Sequence, residues 1–237
     1  MTASLVVCAH GTRDPLGRET VRDVVAAVAE RLPGVSVREA YVDVHGPEVA
    51  EVVAGLTTGE RVAGVVVPLL LAGGYHVRVD IAHAVAGRTD VVVARALGPD
   101  DRLVELLVER LRAAGAEPGS TVVLVPAGSS DPRAQSDSAD MAQRLARRWG
   151  GAVTLGYAAG PTPTVADAVR SARASAGGPV AVASYLLAPG FFQLRVEQAG
   201  GDLVTAPLAP DHRIIDVVVD RYRAALAFAR GSAGPVA

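Results

Sequence analysis

Residues 4–15 read Ser-Leu-Val-Val-Cys-Ala-His-Gly-Thr-Arg-Asp-Pro, an apolar run that ends directly at a histidine and a glycine-containing turn. Apolar runs without polar alternation are typical of parallel strands that are buried on both faces of a sheet. Runs of this kind alternate with amphipathic segments along the first half of the chain. We predict strands near 4–9, 35–42, 61–69 and 90–95, and helices near 18–32, 47–56, 79–87 and 100–114.

The second half of the chain repeats this order of elements. Gly11, Asp14 and Pro15 recur 117 positions further along, and Tyr41 and Pro47 recur 116 positions further along. The repeats are Gly128, Asp131, Pro132, Tyr157 and Pro163. We predict the strands of this half near 121–126, 152–157, 179–186 and 202–206, and its helices near 134–148, 163–176, 194–199 and 211–229.

Alternating strands and helices with short connections indicate parallel sheets with right-handed crossovers. We therefore predict an α/β fold of two tandem, duplicated domains of the Rossmann or flavodoxin-like type. Each domain is expected to have three layers, α/β/α, with a mainly parallel four-stranded sheet, and a cleft is expected between the two domains. The predicted bounds are 1–116, 117–230 and a disordered tail at 231–237.

The composition narrows the class of protein. The net charge of −2 argues against general affinity for nucleic acid. The single cysteine, Cys8, excludes an internal disulfide and any Cys-only metal site, and its place inside the first strand predicts a buried, inert thiol. We see no signal-peptide pattern and no apolar run long enough to span a membrane, so we expect a soluble, cytoplasmic protein that does not bind membranes.

Three polar side chains follow predicted strands of the first half. His10 follows the first strand, Asp43 follows the second, and His76 comes after the third, in Pro68-Leu-Leu-Leu-Ala-Gly-Gly-Tyr-His-Val77. These positions lie at the carboxyl edge of a parallel sheet, where ligands bind. Two imidazoles and a carboxylate at one edge can hold a divalent metal or transfer protons. The corresponding residues in the second half are Ala127, Ala159 and Gln193.

The loss of all three polar groups in the second half, while the turn glycines and prolines stay, indicates a functional site kept in one half only. The segments His10-Gly-Thr-Arg-Asp-Pro15 and Pro68–Val77, with Tyr41-Val-Asp43 between them, resemble the sirohydrochlorin chelatase family. The resemblance covers about residues 3–229 and is closest to the long members, which fuse two halves that short members pair as homodimers.

This resemblance implies a lyase that inserts a divalent metal, Fe²⁺, Co²⁺ or also Ni²⁺, into sirohydrochlorin or a related carboxylated tetrapyrrole, in sirohaem or cobalamin biosynthesis. It implies His10 and His76 as metal ligands and catalytic residues, with Asp43 where the family usually has Glu. The metal is then a substrate, and no permanently bound cofactor is expected. A monomer that forms an internal pseudo-dimer, with one active site per chain, is also implied.

Other residues near these motifs are candidates for binding the macrocycle and its carboxylates. Arg13 and Arg78 supply positive charge, and the backbone at Gly11 and Thr12 supplies donors near a helix start. The remaining candidates are Tyr41, Gly73, Gly74 and Tyr75. Gly11, Tyr41, Gly73 and Arg78 recur in the second half, so a structural role competes with substrate binding at each of them.

Two other functions fit part of the pattern. A non-catalytic tetrapyrrole or metal carrier would keep the cleft, although the carboxylate at Asp43 favours the enzyme. His10-Gly-Thr12 also resembles the histidine phosphatase motif, but Ala9 stands where that motif has Arg. Phe191 and Phe192 replace Gly74 and Tyr75 in the second half, and we expect these rings to pack in the interior rather than form an aromatic wall against a ligand.

Overall fold

The structure is a computed structural model that describes residues 2–59 and 61–231, and for residues 75–78 it describes the backbone alone. This part of the chain forms two four-stranded parallel sheets, ordered β2-β1-β3-β4 and β6-β5-β7-β8. The first half consists of β1 (Ser4–Ala9), α1 (Pro15–Arg31), β2 (Val37–Tyr41), α2 (Val49–Ala54), β3 (Gly64–Pro68), α3 (Tyr75–Ala84), β4 (Val91–Val93) and α4 (Asp101–Ala113).

The second half repeats this order, as the sequence predicted. It consists of β5 (Thr121–Pro126), α5 (Pro132–Trp149), β6 (Val153–Leu155), α6 (Val165–Ser175), β7 (Val180–Tyr185), α7 (Phe191–Glu197), β8 (Leu203–Val204) and α8 (His212–Gly231). The two-fold repeated α/β architecture is therefore confirmed. Helix α8 runs to Gly231, one residue into the segment expected to be a disordered tail, and 232–237 lie outside the described residues.

Helices α1 and α5 begin three and two residues earlier than predicted, because their caps are set by the repeated turn. Asp14 accepts a hydrogen bond from the Gly17 N–H (3.0 Å), and Asp131 accepts one from the Arg133 N–H (2.9 Å). A proline follows each aspartate at the first helical position, where its missing N–H costs nothing. The recurrence of Asp and Pro in both halves is thus explained by capping.

The last helix of each half lies against the sheet of the other half. Helix α8 packs on β3 and β4, and α4 packs on β7. Arg221 of α8 donates to the carbonyls of Ala96 and Leu97 at 3.0 and 2.7 Å. Arg110 of α4 occupies the equivalent place and donates to the carbonyls of Pro207 and Leu208 at 3.3 and 3.4 Å. The two halves therefore exchange their terminal helices about a pseudo-two-fold axis.

This exchange places one hydrophobic core between the two sheets. Leu5 and Val7 of the first sheet belong to the same buried cluster as Val122 and Leu124 of the second. Smaller separate clusters lie on the outer faces, under α2 and α3 in one half and under α6 and α7 in the other. Cys8 is fully buried in one of these outer clusters, as predicted, and burial raises the pKa of its thiol to about 12, which disfavours the reactive thiolate.

We predict that the two halves unfold in one transition, because they share this core. Leu5→Ala removes a fully buried side chain from the first sheet and should lower the free energy of unfolding by about 2–5 kcal/mol. The fluorescence of Trp149, the only tryptophan and a buried residue of the second half, should shift in denaturant together with far-ultraviolet circular dichroism. Leu16→Ala, at a side chain that is 62% exposed, is the matched control and should change little. A Trp149 transition that Leu5→Ala leaves unmoved would contradict the shared core.

Candidate active site

A cleft of about 850 Å³ lies between the two halves. Its walls come from the carboxyl ends of β1, β2 and β3 in the first half and of β5, β6 and β7 in the second. This is the edge at which parallel α/β sheets bind ligands, and the volume lies in the upper part of the usual range of about 300–1,000 Å³. The walls are mainly apolar, so a large ligand with an apolar body fits this site.

His10 directly follows β1, and its exposed side chain lines the cleft. Its carbonyl accepts a hydrogen bond from the Asp43 N–H at 3.0 Å, which ties the ends of β1 and β2 together. The structure therefore brings the His10 and Asp43 backbones together, as expected for residues that follow neighbouring parallel strands.

Gly11 makes this contact sterically possible. Its φ is +103°, and a Cβ built on it would lie 2.1 Å from the Asp43 carbonyl oxygen, so a side chain here would force the two turns apart. Gly128 repeats the arrangement in the second half, with φ +104° and a distance of 1.9 Å to the Ala159 carbonyl oxygen. The glycine thus belongs to the scaffold of both halves, although it also lines the cleft.

The Asp43 carboxylate is turned into its own loop. Its Oδ1 accepts the Val44 N–H at 2.6 Å, and Val44 rather than Asp43 forms the wall of the cleft at this point. Val44 has a φ of +75°, a strained value for a β-branched residue of the kind that clusters at functional sites. Next to it, the His45 ring lies 4.0 Å from the Tyr41 ring centroid, and its Nε2 is buried without a hydrogen-bond partner.

Three other predicted site residues take distinct places around the cleft. Arg13 is exposed and lines it. Thr12 also lines it, but its hydroxyl accepts the Asp14 N–H at 3.1 Å and so shapes the turn. Tyr41 is buried and contributes ring surface, and burial followed by the charge of Glu39 raises the pKa of its hydroxyl, which keeps it neutral.

The loop after β3 contains Gly73 and Gly74 and reaches across to the second half. The Gly73 N–H donates to the Asp137 carboxylate at 3.1 Å, so this backbone group is already occupied. Gly74 lines the cleft beside Ser129. Below this loop the Tyr185 hydroxyl donates to the Leu71 carbonyl at 2.9 Å. The β3–α3 loop is therefore held by the partner half.

Helix α3 begins at Tyr75, four residues earlier than predicted, and His76 thus lies in its first turn rather than in a loop. The equivalent helix α7 also begins earlier than predicted, at Phe191 rather than 194. The side chains of Tyr75, His76 and Arg78 lie outside the described part of the structure. Among the side chains it does describe, no three of His, Cys, Asp and Glu cluster as metal ligands.

The residue that replaces His76 in the second half is turned away from the cleft. Gln193 is buried, and its Nε2 donates to Glu197 Oε1 at 3.0 Å and to the Thr205 carbonyl at 3.2 Å. Ala127 stands at the place of His10, and Ala159 at the place of Asp43. A metal site like the predicted one therefore has no counterpart at these three positions of the second half.

Sequence reasoning missed the cleft residues of the second half. Ser129, Ser130 and Gln135 line the cleft at the start of α5, although the Ser129 hydroxyl accepts the Asp131 N–H at 3.1 Å and the Gln135 amide donates to the Ser129 carbonyl at 3.1 Å. Phe191 and Phe192 also line it and are 66% and 38% exposed, so the expectation that they pack in the interior was wrong. The alignment of the two repeats could have predicted this position, because it aligns Phe191 and Phe192 with Gly74 and Tyr75 of the predicted site.

A model of the CbiX family matches residues 4–114 and again residues 121–225, once in each half. The chain belongs to the CbiX family. A curated relative, the sirohydrochlorin ferrochelatase of Priestia megaterium, is 26% identical over 209 residues, which span 84% of this chain and 77% of the relative.

Solved structures of SirB from Bacillus subtilis share the fold of this CbiX chain. SirB with Fe³⁺ superposes with a TM-score of 0.78 at 17% identity, covering 98% of both chains. SirB from the subspecies spizizenii in complex with cobalt superposes with a TM-score of 0.76 at 17% identity, again over 98% of both chains. None of the described helices in this CbiX chain is long and apolar enough to cross a membrane.

We predict that Gly11→Ala and Gly128→Ala both lower the free energy of unfolding, by about 2–5 kcal/mol, because each adds a clash to a positive φ. Only Gly11→Ala separates His10 from Asp43, so it alone should weaken binding of Co²⁺, by about tenfold or more in calorimetric titration of the folded protein. Gly34→Ala, with a positive φ but no atom within 4 Å, controls for the backbone cost. Equal Co²⁺ affinities in the Gly11 and Gly128 variants would contradict a site confined to the first half.

Proposed function

We propose that this protein inserts Fe²⁺ or Co²⁺ into sirohydrochlorin, with His10 and His76 as metal ligands and acceptors of the pyrrole protons and with Asp43 assisting. In this proposal residues 1–116 carry the active site, and residues 117–230 form a degenerate repeat that completes the cleft. The metal is a substrate, and the protein needs no resident cofactor.

The observation that carries the proposal is the position of His10 on the wall of a cleft of about 850 Å³ between two CbiX repeats. The cleft is large and mainly apolar, which suits a flat macrocycle. The curated relative named for sirohydrochlorin ferrochelatase and the Fe³⁺ and cobalt structures of SirB support the same substrate class and the same two elements, iron and cobalt.

The proposed donor set suits a metal that must be handed over. Two imidazoles and one carboxylate leave coordination positions open, whereas a closed site of four protein ligands would retain the ion. Imidazole and carboxylate accept Fe²⁺, Co²⁺ and Ni²⁺ alike, so these ligands do not choose among them. Iron insertion yields sirohaem, and cobalt insertion leads toward cobalamin.

Insertion is balanced in charge without any redox step. A divalent cation enters the macrocycle as two pyrrole N–H protons leave, so the site must take up two protons near the metal. A neutral imidazole accepts a proton close to neutral pH once its lone pair is released by the metal that passes to the macrocycle, and the carboxylate of Asp43 is a second acceptor once it leaves the Val44 N–H. The apolar walls exclude water and keep the macrocycle facing His10.

The carboxylates of the macrocycle require polar and cationic partners at the rim. Arg13 is exposed on the first half of the cleft, and Ser130 is exposed on the second half near the start of α5. A guanidinium binds a carboxylate through charge-assisted hydrogen bonds, and hydroxyl donors add to it. We propose that these groups orient the periphery of the substrate while the apolar walls hold its ring.

We predict that wild-type protein accelerates anaerobic metal insertion into sirohydrochlorin, followed by the change in absorption with Fe²⁺ and Co²⁺ supplied separately. His10→Ala and His76→Ala should each lower the rate by about 100-fold or more, because each removes a ligand and a proton acceptor. Asp43→Asn should lower it by about tenfold, and Asp43→Glu should retain most of it.

The control for these variants is His212→Ala, because the His212 side chain is 70% exposed and does not line the cleft. Its rate should equal that of the wild type. Equal rates with and without protein would overturn the proposal. Tight binding of the macrocycle without insertion would instead favour a tetrapyrrole carrier.

We further propose that the protein acts in the cytoplasm as a monomer, an internal pseudo-dimer. Both copies of the repeat are in one chain and exchange helices, so the pairing surface of each half is already filled. Light scattering should therefore give the mass of one chain at micromolar concentration. A stable dimer mass would contradict this proposal without affecting the chelatase assignment.

A further inference from the structure

We propose that the degenerate half supplies a binding wall for the macrocycle, formed by Phe191 and Phe192 at the start of α7. This inference rests on the proposed function and extends it by giving the second half a direct role in substrate binding. We name these two side chains the aromatic wall. The face of the tetrapyrrole turned away from His10 lies against it.

The two rings are placed for contact with a ligand. Both line the cleft, Phe191 is 66% exposed and Phe192 is 38% exposed. Their centroids are 5.6 Å apart with planes at 65°, so they form an edge-to-face pair rather than a closed stack. Aromatic rings of this size bury a large area when covered, and a flat conjugated ligand can stack on one of these rings while the edge of the other contacts it.

The opposite face of α7 explains why these rings face outward. Gln193 and Val196 are 6% and 0% exposed and anchor the helix against the second sheet. The side-chain amide of Gln193 holds this orientation through its bonds to Glu197 and the Thr205 carbonyl. The buried face fixes the rotation of the helix, and the phenylalanines are left on the cleft side.

The comparison between the repeats supports a change of role at this position. The first half has Gly74, a residue without a side chain, where the second half has Phe191. The first half then keeps His76, where the second half has the inward-turned Gln193. One copy of the segment carries a candidate metal ligand, and the other lacks it and has apolar surface at the two preceding positions, facing the same cleft.

Arg195 gives the aromatic wall a charge suited to this ligand. Its guanidinium carbon lies 5.5 Å from the Phe191 ring centroid, within the range of a cation–π contact. It is exposed, one helical turn after Phe191. A macrocycle that lies against Phe191 would bring peripheral carboxylates towards this guanidinium. The guanidinium does not line the cleft itself, but its contact with Phe191 places a cation beside the apolar wall.

The test measures binding of metal-free sirohydrochlorin, through its absorption and fluorescence, separately from metal insertion. The double variant Phe191→Ala/Phe192→Ala should raise the Kd by about tenfold or more, because two ring contacts are lost. KM for the macrocycle should rise, and kcat at saturation should stay within about twofold, because the metal ligands are untouched. The conservative variant Phe191→Tyr, made in the wild-type protein, should keep most of the wild-type affinity for sirohydrochlorin.

Phe228→Ala is the matched control, since Phe228 is 74% exposed on α8 and does not line the cleft. It should leave Kd and KM unchanged. If the wild type binds sirohydrochlorin and the double variant binds it as tightly, the aromatic wall is wrong and the chelatase proposal stands. If the wild type neither binds nor metallates sirohydrochlorin, both fail together. His10→Ala separates the two further, because it should bind the macrocycle normally and fail to insert metal.

Discussion

Each half of this protein completes the other with a helix. Helix α8 covers the first sheet and α4 covers the second, and the arginines Arg221 and Arg110 secure these helices to backbone carbonyls of the opposite half. The exposed ion pairs between the halves add little, as is usual for pairs in contact with water. The buried core between the sheets therefore fixes the relative position of the halves, and with it the width of the cleft.

The repeat also separates what the scaffold needs from what the chemistry needs. The turn after the first strand is built from the same parts in both halves, with a glycine at a φ near +104°, a capping aspartate and a proline. His10 stands in one copy of this turn and Ala127 in the other. Because the turn is preserved without the histidine, His10 is not required for the local structure, and its side chain is available for a ligand.

Much of this fold was predictable from local patterns. The apolar runs and the repeated Gly, Asp and Pro residues predicted the order of strands and helices, because strand burial, turn conformation and helix capping depend on residues close together in the sequence. The exchange of α4 and α8 was not predictable in the same way, since an amphipathic helix shows that it is buried but not against which sheet. The starts of α3 and α7 were also missed, because the pairs Gly73-Gly74 and Pro189-Gly190 that precede them, and the aromatic residues that open them, are poor helix formers until tertiary contacts override them.

For the candidate site, the positions of the residues along the sheet edge were predictable, but the orientations of their side chains were not. His10 and Asp43 follow neighbouring strands, so their proximity follows from topology alone. The orientation of the Asp43 carboxylate towards the Val44 N–H depends on a strained loop conformation that no pattern indicated. The exposure of Phe191 and Phe192 depends on which face of α7 is anchored, and that face was set by Gln193, a polar residue that sequence reasoning does not place in a core.

The helix exchange has a consequence for how such a chain can change over time. A half that has lost its polar site residues would ordinarily be free to shrink or disappear. Here the second half cannot be removed, because the first sheet would lose α8 and the cover of its inner face. Mutation can therefore reshape the cleft surface of the second half, while its interior stays under the same demand as that of the first. The second half, which lacks the polar site residues of the first, is in this way retained for its structural role, and its cleft surface is free to acquire a new binding function.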